Sequence, residues 1–261
     1  MGWSVATRRA AGPLLILSAT AACLSGPVPT PSPTAITASP SPTPSPVVRR
    51  ICPTTQQLGG GITGRLGYPS DFLPPLAIYA IRVDGTAYRI LHTVPVTRLT
   101  GTVTFTMLGL EPGPYIVVAY PIDSTGAITG GGLAGSYTPA VACGLSTNCT
   151  QHTPIRVTVK GGDTLKGVDL LDWYAPAGTF PAPPTGSEPY KANDRVAVCN
   201  PFADEVNLRA AAGIGGSLLR TISNGTELTV TDGPQPADGY DWYRVSVEAA
   251  SGWVVAYALR R

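Results

Sequence analysis

LAIYAIRV (76–83), Asp84-Gly85 and TAYRILHTV (86–94) set the fold class of this 261-residue chain. Two segments rich in aliphatic and aromatic residues flank a dipeptide that tolerates positive φ. That is the pattern of a β-hairpin, with a type I′ turn expected at Asp84-Gly85. Working outward, further strands are expected at ITGRLGY (62–68), TVTFTML (102–108), YIVVAYPI (115–122), PIRVTVK (154–160) and LKGVDLLDW (165–173). Short strands, Gly/Pro turns and no amphipathic helix predict an all-β chain, with a β-sandwich over residues 51–175.

Composition agrees. Charged residues make up 13% of the chain, against about 25% in an ordinary soluble domain. Lys160, Lys166 and Lys191 are the only lysines. A helix-rich cytoplasmic enzyme and a coiled coil are both poor fits. The formal net charge of +2 is too small for an electrostatic nucleic-acid binder. Arg8, Arg9, Arg49 and Arg50 have no acid near them in residues 1–50, so the cationic excess sits in the leader. The regions 51–175 and 190–261 are close to neutral.

The N-terminus reads as an export signal, with Arg8-Arg9 as a cationic n-region and AAGPLLILSATAA (10–22) as an apolar core. That core is shorter than the ~20 residues a membrane-spanning helix needs. Cys23 follows Ala21-Ala22 directly and resembles the lipidated cysteine of a bacterial lipoprotein. Ordinary signal-peptidase cleavage after Ala21 or Ala22 is the alternative. Residues 24–50 hold eight Pro, five Ser and four Thr and cannot bury a core, so they are expected to form a disordered stalk. The expected location is the outer face of a membrane through a lipid anchor, or else secretion.

Cys52, Cys143, Cys149 and Cys199 remain after Cys23. Four cysteines in an exported chain favour two disulfides, with three possible pairings. The local pair Cys143–Cys149 is favoured, which leaves Cys52–Cys199. No CxxC is present, and His92 and His152 lack ligand-spaced neighbours, so no metal site is expected.

Two stretches of the first body, GGGITGRLGYPSDFLPPLAIYAI (59–81) and FTMLGLEPGPYIVVAY (105–120), resemble carboxypeptidase regulatory-like domains of the transthyretin-like sandwich class. The matching pattern is Leu110, Gly113, Tyr115 and Val117. The resemblance implies a non-catalytic accessory module. Tyr79, Tyr88, Tyr120, Tyr137, Trp173 and Tyr174 are read first as core and edge aromatics, and second as a sugar-stacking platform.

Residues 176–189 are Pro-rich and read as a linker. Beyond them, residues 190–261 resemble a bacterial SH3-like (SH3b) domain. The resemblance rests on Asn207-Leu208-Arg209, Gly225-Thr226-Glu227-Leu228-Thr229-Val230, Trp242-Tyr243-Arg244-Val245, Gly252-Trp253-Val254, Tyr257 and Leu259. It implies a small β-barrel. Leu208, Leu218, Ile222, Leu228, Val230, Trp242, Val245, Trp253 and Val255 are candidates for its interior. Tyr240, Trp242, Tyr243 and Tyr257 are candidates for a groove that accepts an extended peptide.

No GxSxG, HExxH or P-loop is present, so no enzymatic activity and no cofactor are expected. The leading expectation is a monomeric surface lipoprotein that binds peptidoglycan or another cell-envelope ligand through residues 190–261. A structural adaptor for another surface protein, or a carbohydrate receptor using the sandwich, are the alternatives.

Overall fold

The computed structural model describes residues 52, 59–85, 87–184 and 190–261. Cys23 and the stalk 24–50 lie outside the described residues. All-β architecture follows from the strand patterns above. The only α-helix among the described residues is one short turn, Pro139–Cys143.

The first body is two sheets face to face. β1 (Gly60–Leu66) lies between β4 (Val103–Leu110) and β8 (Thr164–Leu165). Opposite, β2 (Leu76–Arg82) lies between β3 (Tyr88–His92) and β5 (Gly113–Pro121), and β6 (Gly135–Ser136) and β7 (Val157–Val159) follow one another along the far side of β5. Alternation fills the space between the sheets. Ile62, Leu66, Phe105 and Met107 meet Leu76, Ile78, Leu91, Tyr115 and Val117. Tyr115 is anchored as well as buried, since its hydroxyl donates to the Glu111 carbonyl at 3.0 Å.

LAIYA and YIVVAY are apolar at every position, the signature of a strand covered on both faces. The second face of β2 and β5 carries Ala77, Tyr79, Val118 and Tyr120, with Phe180 packed against it. The Tyr120 hydroxyl also donates to the Pro181 carbonyl. The described part of the Pro-rich 176–189 segment is therefore a cover for the sheet as well as a connection.

Two local expectations need correcting. The 82–85 turn has positive φ at Gly85 (+70°), and the Gly85 N–H donates to the Arg82 carbonyl at 2.9 Å. The turn thus closes over Val83-Asp84, and is not a type I′ turn centred on Asp84-Gly85. The 165–173 stretch supplies only the end of β8 and isolated bridges at Leu170 and Asp172. Its Gly167 at φ +78° interrupts the strand.

Gly135 packs beneath the Trp173 ring, where an added Cβ would lie 2.2 Å from Cε2. Trp173 is buried and stands edge-on to Tyr68 at 5.0 Å, so it has little room to move. Gly135→Ala is expected to destabilise the chain by about 2 kcal/mol through overpacking, read from the urea midpoint.

The second body runs β9 (Arg195–Val198), β10 (Glu205–Arg209), β11 (Leu218–Ser223), β12 (Glu227–Ala237), β13 (Tyr240–Val247), β14 (Ala250–Val255) and β15 (Leu259–Arg260). The sheet order is β11-β10-β14-β13-β12-β9-β15. β11 and β15 are not joined, so the bent sheet does not close into the expected barrel. Leu208, Ile222, Leu228, Val230 and Val245 are buried as expected. Leu218 is not, because it begins the edge strand and is 55% exposed. Trp253 is only partly buried, since it pairs with Arg244 on the outer side while Val254, paired with Tyr243, faces in. Disulfides join Cys52 to Cys199 and Cys143 to Cys149.

The two bodies touch through polar groups withdrawn from water. Both oxygens of Asp241 accept from the His92 backbone N–H at 3.1 and 3.2 Å, and the His92 ring Nδ1 lies 2.9 Å from Asp241 Oδ2. Both side chains are buried. A second link uses Gly109, which at φ +73° bulges β4 toward β15. Its carbonyl accepts from Arg260 Nη2 at 3.0 Å, and an added Cβ would meet the Tyr257 carbonyl at 3.0 Å. Burial, then the neighbouring Arg89, pull the Arg260 guanidinium down to about 10. It therefore remains a cation at neutral pH, held by the Gly109, Tyr257 and Leu259 carbonyls.

Candidate functional site

Tyr240 and Trp242 leave β13 on the same side because they are two residues apart. Tyr257 reaches them from the turn after β14. The Tyr240 and Tyr257 rings stand edge-to-face at 5.8 Å, and Phe202 adds a third ring 5.6 Å from Tyr257. A groove of about 360 Å³ opens beside them, and Glu205, Asn207 and Arg209 of β10 and Ile214 complete its wall. Asn207 and Arg209 point outward because Leu208 between them is the core residue.

The walls are pinned. Trp242 Nε1 donates to the Ala237 carbonyl at 3.1 Å, which fixes its indole. Arg209 Nη1 donates to the Gly216 carbonyl at 2.8 Å. The 210–217 loop is clasped to the β12–β13 turn where the Ile214 N–H donates to Asp238 Oδ2 at 2.7 Å. Burial, and then the adjacent Tyr240, push the Tyr257 hydroxyl above its ordinary range, so it remains a protonated donor at neutral pH.

The four residues expected in the groove divide. Tyr240 and Tyr257 line it with part of their rings open. Trp242 lines it too, although only 4% of the residue is exposed. Tyr243 is on the opposite side of β13, fully buried and edge-on to Tyr190 at 5.2 Å. Strand alternation, which separates residue 243 from 242, was the signal that places it there. Glu205, Asn207, Arg209 and Ile214, which complete the wall, carry no aromatic signal that marks them as groove residues. For Asn207 and Arg209 the same alternation about Leu208 was available.

Chemically, the groove offers aromatic faces, one guanidinium, one carboxylate and amide groups. That mixture suits an extended ligand with both backbone amides and charges. Among the described residues, no cluster of three His, Cys, Asp or Glu side chains is placed to hold a metal ion. No described helix is long and apolar enough to cross a membrane.

The sandwich aromatics do not form one platform. Tyr79, Tyr88 and Tyr120 lie on the face covered by Phe180, Trp173 is in the core and Tyr137 packs against it. Only Tyr174 stands out, 64% exposed.

A profile described as "Bacterial SH3 domain" matches residues 204–259, which include Glu205, Asn207, Arg209, Tyr240, Trp242 and Tyr257 of the groove. No curated protein and no solved structure matches the chain.

Proposed function

We propose that the Tyr240–Trp242–Tyr257 groove binds the cell wall, and that the chain is a non-catalytic protein of the outer cell surface. The observation that supports this most directly is that the groove is open to solvent and that most of its lining, from Glu205 to Tyr257, falls in the stretch matched as a bacterial SH3 domain. Its aromatic floor and its Arg209 and Glu205 suit the short, mixed-charge peptides of peptidoglycan. The leader, with Cys23 as lipid attachment point, would place the groove outside the membrane, and the sandwich would act as a spacer or accessory module. Of the three groove aromatics, Tyr240 and Tyr257 are partly exposed and Trp242 is buried.

Full-length chain mixed with insoluble peptidoglycan is expected to pellet with it. Replacing both Tyr240 and Tyr257 with alanine is expected to weaken retention by about tenfold or more, as for aromatic hot spots generally. If the unaltered chain stays in the supernatant, wall binding is lost as an explanation. The adaptor reading then gains, supported by Phe202, Ile214, Leu218 and Leu219, each about half exposed on the second body. Crosslinking to a surface protein would be its test.

A further inference from the structure

A second polar site sits on the sandwich, distinct from the groove. Asp172 is fully buried, yet it is a carboxylate and needs partners. Thr138 Oγ1 donates to its Oδ2 at 2.6 Å, and the Tyr174 backbone N–H donates to Oδ1 at 3.2 Å. His152 Nδ1 lies 2.8 Å from the same Oδ2. Because a carboxylate accepts, this contact fixes Nδ1 as the protonated nitrogen. The other ring nitrogen, Nε2, is hydrogen-bonded by no described residue, and the ring is partly open to solvent.

His152 opens into a pocket of about 330 Å³. Leu145, Ser146, Thr147, Thr150 and Tyr174 share its lining. The Cys143–Cys149 bridge holds the hydroxyl-bearing loop, with Cα atoms 5.8 Å apart. Tyr174 is the most exposed large hydrophobic residue described and sits at the pocket lip. Among the described residues no lysine or arginine lines the pocket, so they offer a phosphate or carboxylate no side-chain cation there. With Nδ1 engaged by Asp172, the His152 imidazole offers an acceptor at Nε2, the Ser and Thr hydroxyls offer both donors and acceptors, and the Tyr174 ring offers a flat apolar face.

We propose that the His152–Tyr174 pocket binds a neutral saccharide, with one pyranose ring lying against Tyr174 and a ring hydroxyl donating to His152 Nε2. Asp172 does not touch the ligand; it is a positioning residue that holds the imidazole tautomer. The pocket volume is at the small end for ligand sites, in keeping with one or two sugar rings.

The chain has two histidines, and His92 is buried between the bodies. Proton NMR of the full chain therefore carries an internal control. Titration with triacetylchitotriose and, separately, maltotriose distinguishes an N-acetylated sugar from a plain glucan. A shift of the His152 Hε1 resonance with either sugar, while His92 is still, supports the site. Tyr174→Ala is expected to weaken that response about tenfold, and Tyr174→Phe to retain it. An unchanged His92 resonance in Tyr174→Ala reports that the fold is intact. No His152 shift with either sugar at millimolar concentration would overturn the proposal. So would equal movement of both histidines, or an undiminished response in the folded Tyr174→Ala chain.

Discussion

Replacing Cys52 and Cys199 together with serine is expected to lower the unfolding free energy by about 5 kcal/mol and the Tm by roughly 10–20 °C. The bridge joins residues 147 positions apart, and that loop contains the whole sandwich. Cross-linking so long a loop removes a large share of the freedom of the unfolded chain. The Cys143–Cys149 bridge spans 6 positions, and the same reasoning gives it about 2 kcal/mol. The two bridges therefore make an internal comparison. Urea unfolding of each serine pair should place the long bridge first by more than a factor of two. If the Cys143/Cys149 pair proves the more costly, loop entropy is not what the long bridge contributes.

Asp241→Ala is expected to cost about 3 kcal/mol. The carboxylate accepts from both the backbone N–H and the ring of His92, and all of these groups are buried. Alanine takes the shared acceptor away from both the His92 backbone N–H and its ring. Asp241→Asn should be milder. Its carbonyl can still accept from the backbone N–H, and the imidazole can change tautomer so that Nδ1 accepts from the new amide. The second readout is cooperativity. Asp241 ties β13 to the end of β3, so its loss is expected to split one unfolding transition into two. A midpoint within about 0.5 kcal/mol of the unaltered chain, with a single transition, would show that the interface does not depend on this contact.

Much of the architecture was legible from local pattern. The apolar runs around Ile78 and Val117 identified strands, though not that both faces of those strands are covered. The ordered motifs from Asn207 to Leu259 identified the second body. Legibility ended where residues distant in sequence decide the outcome. His92 and Asp241 are 149 positions apart, and neither carries a local signal for the other. Phe180 reads as part of a loop until the uncovered face of β2 is known. At the groove, Tyr240, Trp242 and Tyr257 were legible as aromatics within a motif. Tyr243 was drawn in with them because composition marks an aromatic residue but not the side of the strand it occupies. In the sandwich, His152 has no ligand-spaced neighbour in sequence, and only the fold places it 2.8 Å from Asp172.

The Cys52–Cys199 bond also determines how the molecule bears tension. A pull applied upstream of Cys52 passes through the sulfur atoms to the residue after β9, a strand held between β12 and β15. A ligand gripped in the groove resists that pull from β10, β13 and the turn after β14, within the same sheet. The sandwich lies in the slack branch of the covalent loop, and its strands carry none of the load. Reducing the bond reroutes the force through the sandwich, whose end strand β8 is only two residues long.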